Sequence, residues 1–317
     1  MKVLLTGFTG FLGQYLGRLI LQNGEDLRII LHRHTLPKTK LKKGVEVIWG
    51  KMDNEPTIEE AIEGVDCVIH SGWSFNSSAK ERPTVNEKSA ELLLKTSIES
   101  NVKKFIFISS VAVYGMKNKK AALINEESAF AKGKDLNFVY PSEKVSIENL
   151  IQNTDRKNML VAIFRPGPIF DDEKAPAKKI VNIGRIRLGI GIGDGKNTLP
   201  YIHAQDVADA VIRWLKNGKS DSAFNVVPSK SISYRKWITL WGKNKGQNIR
   251  PVFIPISISY LLGFGINILK TVLNKSVNDD FKYGIKCAKR DIEYNNEKLI
   301  STLSWKDKYT ANITDFN

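Results

Sequence analysis

The chain has only two cysteines in 317 residues, Cys67 and Cys287. That excludes a disulfide framework and a cysteine-rich metal site, and it suits a reducing cytoplasm. Histidine is scarce as well: four are scattered without ligand spacing, so no metal centre is expected. Acid is short relative to base, with 33 Asp and Glu against 48 Lys and Arg, a formal charge of +15. The lysines are dispersed and no nucleic-acid motif with interleaved aromatics accompanies them, so no nucleic-acid partner is expected. A solvated lysine-rich surface explains the charge most simply, and attraction to anionic cofactors or lipid headgroups is the other reading. No secretory leader is read in "MKVLLTGF", which runs into a glycine loop without a cleavage site. Internal repeats and low-complexity stretches are missing too. The expected location is cytoplasmic.

What is present is a globular composition, 42% hydrophobic and 26% charged, long enough for an ample core. Short apolar, β-branched runs stand at 2–6, 27–31, 45–49, 66–70, 104–109 and 160–164. Helical patterns at 11–22, 57–63, 84–100 and 142–153 lie between them. Continuous apolar strands alternating with helices predict an α/β fold, a parallel sheet covered on both faces. The rhythm breaks after Arg165. One more amphipathic helix is read at 203–218, with Val207, Val211, Trp214 and Leu215 on one face, and "AFNVV" (223–227) reads as a last strand.

"TGFTGFLG" (6–13) follows the first strand and opens a helix. Gly7 permits a tight turn, Gly10 lets backbone N–H groups approach a pyrophosphate, and Gly13 lets helix pack on strand. A glycine triplet in that βαβ position reads as a dinucleotide site. An NAD site usually places an acid at the end of the second strand. Here "LHRH" stands there, and the fork of Arg33 suits a 2′-phosphate. NADP is therefore favoured over NAD.

These fragments, with "KMD" (51–53), "VIHSGW" (68–73), "VNEKSAELLL" (85–94), "ISSVAVYG" (108–115), "YPSEK" (140–144), "FRPGPIF" (164–170) and "YIHAQDVADA" (201–210), stand in a recognisable order. The chain resembles the extended short-chain dehydrogenases/reductases, often called the NAD-dependent epimerase/dehydratase family, nearly end to end. The resemblance implies a Rossmann-type doubly wound sheet at 1–167 and 201–228. A smaller, mostly helical C-terminal substrate lobe would occupy 168–200 and 229–317. It implies Ser110, Tyr140 and Lys144 as the catalytic set, with Ser109 the alternative serine. For the cofactor it adds Phe11 and Leu12 beside the glycines, then Asp53 at the adenine, and Ser71, Gly72 and Ser109. Pro166 and Ile169 would lie against the nicotinamide, and Tyr140 and Lys144 would touch it as well. Asn86 reads either as a relay or as a structural hydrogen bond. "LSWKD" (303–307) resembles the family's "LGWxP" ending, with Ser304 and Asp307 substituted.

The chemistry is consistent with those roles. A phenol of pKa about 10 is a poor base at neutral pH, and an ammonium one helical turn away is expected to favour the phenolate. Pro141 is acceptable because the first turn of a helix needs no N–H there. Sugar-nucleotide members commonly carry an Arg-Asp-aromatic run where this chain has "NTLPYIH" (197–203), and dehydratases an Asp-Glu pair that "SSVAVYG" lacks. His203 and Asp206 read as a structural turn and helix cap. "VFIPISISYLLGFGINIL" (252–269) is 18 residues without a charge. It reads as a buried lobe helix, with peripheral membrane contact through 252–273 as the alternative. The expected function is an NAD(P)-dependent oxidoreductase interconverting an alcohol and a carbonyl on a fairly apolar small molecule. A nucleotide-sugar epimerase or dehydratase retaining its NAD is the alternative, and a non-catalytic NADP-binding sensor the third. A homodimer is left open.

Overall fold

Each apolar run of the first half forms a strand. The computed structural model describes residues 1–32, 44–74, 84–115, 123–175, 179–184, 186–261, 285–288 and 291–315. The main sheet contains β1 (Lys2–Thr6), β2 (Asp26–Leu31), β3 (Val45–Trp49), β4 (Cys67–His70), β5 (Lys104–Ile108), β7 (Leu160–Pro166) and β12 (Ser222–Val226). Its order is β12-β7-β5-β4-β1-β2-β3, and all seven strands are parallel. Strand order reverses between β1 and β4. A doubly wound sheet binds its ligand outside the carboxyl ends of the strands at that point.

Two apolar layers cover the sheet. On one face lie α1 (Phe11–Gln22) and α5 (Ala204–Asn217), packed through Leu16, Ile20, Val207, Val211 and Trp214. On the other lie α2 (Glu55–Ile62), α3 (Val85–Glu99) and α4 (Val139–Asn153), packed through Ile58, Leu93, Leu94, Ile147 and Ile151. The helix starts follow local chemistry. Asn54 caps α2 ahead of Pro56, and Thr84 forms a capping box with Glu87 at α3. His203 caps α5 by accepting from the Gln205 N–H, so it has the structural part expected of it.

The segments expected to form a substrate lobe hold a second sheet beside their helices. β9 (Lys179–Ile183) runs antiparallel to β10 (Ile186–Ile192), which pairs in parallel with β13 (Ile249–Ile254). α6 (Tyr234–Asn244) packs on this sheet; a Cβ at Gly189 would lie 2.4 Å from Ile238. Residues 252–254 therefore end a strand, where the apolar run suggested a helix. Helix begins only at 256. Of the segment 252–273 read as a possible membrane contact, 262–273 lies outside the described residues. Among the described residues no helix is long and apolar enough to cross a membrane. Two-stranded pairs, β6 (Leu123–Ile124) with β14 (Glu293–Tyr294) and β8 (Ile169–Phe170) with β11 (Ile202–His203), tie the lobe to the main sheet's rim. The chain then returns in α7 (Glu297–Leu303) and α8 (Lys308–Thr314), where Leu299, Leu303 and Trp305 are buried in the α1/α5 layer.

Candidate active site

The glycine turn is built by close approach. Gly7 has φ +75°, and a Cβ there would lie 2.6 Å from the Gly72 backbone. A Cβ at Gly13 would lie 2.0 Å from the Gly7 carbonyl oxygen, so only hydrogen fits there. The Gly10 N–H donates to the Gly7 carbonyl at 2.9 Å, and α1 begins at Phe11 with no side chain capping it. Backbone thus packs directly on backbone at the turn, and the first-turn N–H groups of α1 are left without a side-chain cap. That is what a pyrophosphate needs.

At the end of β5, Ser110 accepts from the Ala112 N–H at 3.2 Å and is hydrogen-bonded to the Tyr140 phenol. Tyr140 lies in the first turn of α4 with Pro141 beside it, as expected. Lys144, one turn on, is buried and donates to the Ile108 carbonyl at 2.7 Å. Its ammonium lies 3.5 Å from the centroid of the Trp73 ring and 4.7 Å from that of Phe107. Trp73 meets Tyr140 edge to face at 5.5 Å. The electrostatics differ from the sequence expectation. Burial raises the Tyr140 phenol above its ordinary value, with the Ser110 bond opposing it and Glu143 adding to it. Burial also pushes the Lys144 ammonium down to about 7, against the pull of Glu148 and Glu143. Neutral tyrosine is favoured here, because desolvation outweighs the neighbouring charge.

Behind these residues runs a buried ion pair. Arg165 donates to both oxygens of Glu148, at 3.1 Å and 2.6 Å, and to the Tyr114 hydroxyl at 2.7 Å. Ser109 donates to the same carboxylate. Its hydroxyl therefore turns into the protein, which leaves Ser110 as the serine beside Tyr140. Arg165, visible as a charge in the sequence, is spent on docking α4. Asn86 accepts from the Ser74 N–H at 2.8 Å and donates to Glu143 at 3.2 Å, so it holds the segment carrying Trp73 against α4. Its structural reading fits this geometry.

Two cavities meet at the glycine turn. The larger, about 580 Å³, is lined by Gly10, Ser110, Tyr140, Lys144, Pro166 and Ile169 among others. The smaller, about 350 Å³, is lined by Ile30, His32, Met52, Gly72, Asn86 and neighbours. Gly7, Thr9 and Trp73 border both. This is the outline of a two-part ligand laid across the switch point. The sequence profile of the NAD dependent epimerase/dehydratase family matches residues 3–227. The chain belongs to that family.

Three likenesses over nearly the whole chain extend the match. A sterol-4-alpha-carboxylate 3-dehydrogenase, decarboxylating, from Dictyostelium discoideum is 24% identical over 98% of both chains. A crystal structure of a short-chain dehydrogenase/reductase superfamily protein from Agrobacterium tumefaciens with bound NAD superposes with TM-score 0.72 at 17% identity, covering 98% and 94% of the two chains. The UDP-glucose 4-epimerase of Thermotoga maritima with UDP-glucose superposes at 0.71 and 18% identity, over 97% and 94%. At such identities the structures share the Rossmann-type fold alone. This epimerase/dehydratase-family chain brings most of the expected site residues together: Gly7, Phe11, Leu12, Gly13 and Ser71 line one cavity or both with the catalytic candidates. Asp53 does not join them. It is exposed, and its neighbour Met52 takes the wall of the smaller cavity. Arg33 lies outside the described residues. Trp73 and Lys174 were missed by the sequence reading. Trp73 closes the fragment "VIHSGW", which put it at a strand's carboxyl end without giving it a role.

Proposed function

We propose that the chain is an NADP-preferring reductase or dehydrogenase that interconverts a carbonyl and an alcohol on a fairly apolar small molecule. The observation that carries this reading is the larger cavity. Ser110, Tyr140 and Lys144 share it with the glycine turn, while Ile169, Leu199, Pro200, Ile292 and Tyr294 give it apolar walls. A bound nicotinamide would supply or take up hydride. The glycine turn, Lys144, Pro166 and Ile169 would hold that cofactor. Tyr140, kept as a neutral phenol by burial, would give its proton to the substrate oxygen in the reducing direction. Ser110 would donate a second hydrogen bond to that oxygen and fix its position. The name of the Dictyostelium relative, a sterol dehydrogenase, agrees with an apolar substrate. The preference for NADP rests on Arg33 standing where NAD sites carry an acid.

A nucleotide-sugar epimerase is the second reading, favoured by the same fold in the Thermotoga enzyme. It needs a cation for the sugar's diphosphate; Glu148 holds Arg165, which leaves Arg187 or Lys196 to supply it. The test is oxidation of NADPH and NADH against a panel of apolar ketones and UDP-sugars. Turnover of ketones with NADPH is expected, and Tyr140→Phe should bind NADPH yet lose roughly 10²-fold or more in rate. Conversion of a UDP-sugar without net redox change would make the protein an epimerase. A Tyr140→Phe variant of full activity would remove the phenol from the mechanism.

A further inference from the structure

The larger cavity is lined by two cations among the described residues, Lys144 and Lys174. Lys144 is buried and directed at the Ile108 carbonyl. Lys174 is different. It is exposed, and it stands on the turn that follows β8, across from the start of α1, with its ammonium 4.3 Å from the centroid of the Phe11 ring. Phe11 is the first residue of α1, directly after the glycine turn.

The turn that carries Lys174 is built rather than loose. Asp171, which is buried, accepts from the Glu173 N–H at 2.8 Å and the Lys174 N–H at 2.6 Å through one carboxylate oxygen. Its other oxygen accepts from the Tyr15 hydroxyl of α1 at 3.0 Å. Its backbone carbonyl accepts from the Trp241 indole of α6 at 2.9 Å. The turn is thus pinned to the helix that opens at the glycine turn. The acidic neighbour Asp172 is taken by Lys245 at 3.2 Å, which leaves the Lys174 ammonium facing Phe11 and the cavity.

We infer that Lys174 closes over the pyrophosphate of the dinucleotide, supplying the cation that the glycine turn lacks. The glycine turn and the first turn of α1 offer N–H dipoles and the Thr9 hydroxyl but carry no basic side chain. A diphosphate brings full negative charge, and a flexible ammonium on the opposite wall is suited to it as a point charge. The inference rests on the dinucleotide reading above. It makes a claim that reading does not: Lys174 serves both cofactors equally, because the pyrophosphate is common to NADP and NAD.

The experiment is direct titration of NADPH and NADH onto the whole protein by calorimetry, at two salt concentrations, with the substrate KM measured alongside. Lys174→Ala should weaken both cofactors by roughly tenfold and Lys174→Glu by more, while Lys174→Arg retains most of the affinity. The loss should shrink at high salt, and thermal stability should not move, because the side chain is exposed. Wild-type affinity in both Lys174→Ala and Lys174→Glu would overturn the inference. So would unchanged cofactor binding with a raised substrate KM, which would place Lys174 at the substrate. A wild-type protein that binds neither dinucleotide would instead overturn the functional reading beneath it.

Discussion

Lys144 shows packing and chemistry pulling in opposite directions. Its side chain is buried against Trp73 and Phe107, and burial brings its ammonium down to about 7. An unfolded lysine titrates near 10.4. Between those values the native chain binds fewer protons than the unfolded one, so stability rises with pH across that window. Near pH 7 this lysine therefore works against folding. Lys144→Met should raise the free energy of unfolding at pH 7, by on the order of 2 kcal/mol, while turnover is lost. The gain should fade as the pH is raised towards 10. Urea unfolding of both proteins at pH 7 and pH 9.5 measures it. A variant less stable than wild type at pH 7 would mean that the Ile108 bond and the aromatic box outweigh the desolvation. His70 has the same sign: buried, with its imidazole pushed down to about 3, it contributes stability above pH 6.5 that is lost on acidification.

Among the elements, α7 ends in an uncommon way. Ser304 closes it at φ +49° and ψ +37°, in the left-handed region that glycine occupies without cost. Its side chain is exposed, so nothing it touches repays the strain. Ser304→Gly should therefore stabilise the protein by about 1 kcal/mol, read as a higher urea midpoint with an unchanged slope. A lowered midpoint would show that the serine's restriction of the unfolded chain matters more. The sequence hinted at this site through the resemblance of "LSWKD" to an "LGWxP" ending, with serine in the glycine's place, and the backbone is left-handed there.

Other elements were legible to different degrees. The main-sheet strands were readable because each is a short β-branched run bounded by turns, as in "KVLLT" and "KFIFI". The lobe's sheet was not, because Gly189 and Gly191 interrupt β10 and the apolar run after Arg250 fits a buried strand as well as a helix. In the site, Ser110, Tyr140 and Lys144 were expected from the family resemblance, and they line one cavity. Burial was not: nothing local says that Arg165 pairs with Glu148, that Ser109 turns inward, or that Asp53 stays outside while Met52 faces the cavity. Those depend on contacts between elements far apart in sequence.

On the scale of the molecule, the end of the described chain completes the layer begun at its start. Trp305 is fully buried among α1 and α5 side chains, and its indole donates to the Asp206 carbonyl at 3.0 Å. Asp206 in turn accepts from the Tyr309 and Thr310 N–H groups at 3.0 Å and 2.7 Å, which fixes α8. Trp305→Ala should cost about 3–5 kcal/mol in urea unfolding. A loss under 1 kcal/mol would show that the α1/α5 face closes without it. The arrangement has a consequence on the ribosome. The apolar face of α5 is complete by Leu215, yet Trp305 is added roughly 90 residues later, about 5–18 s at ordinary rates of translation. Once β12 has been added, the nascent chain carries the main sheet with an open apolar seam for most of that interval. Its demand for a chaperone is greatest late in synthesis, after most of the fold has already formed.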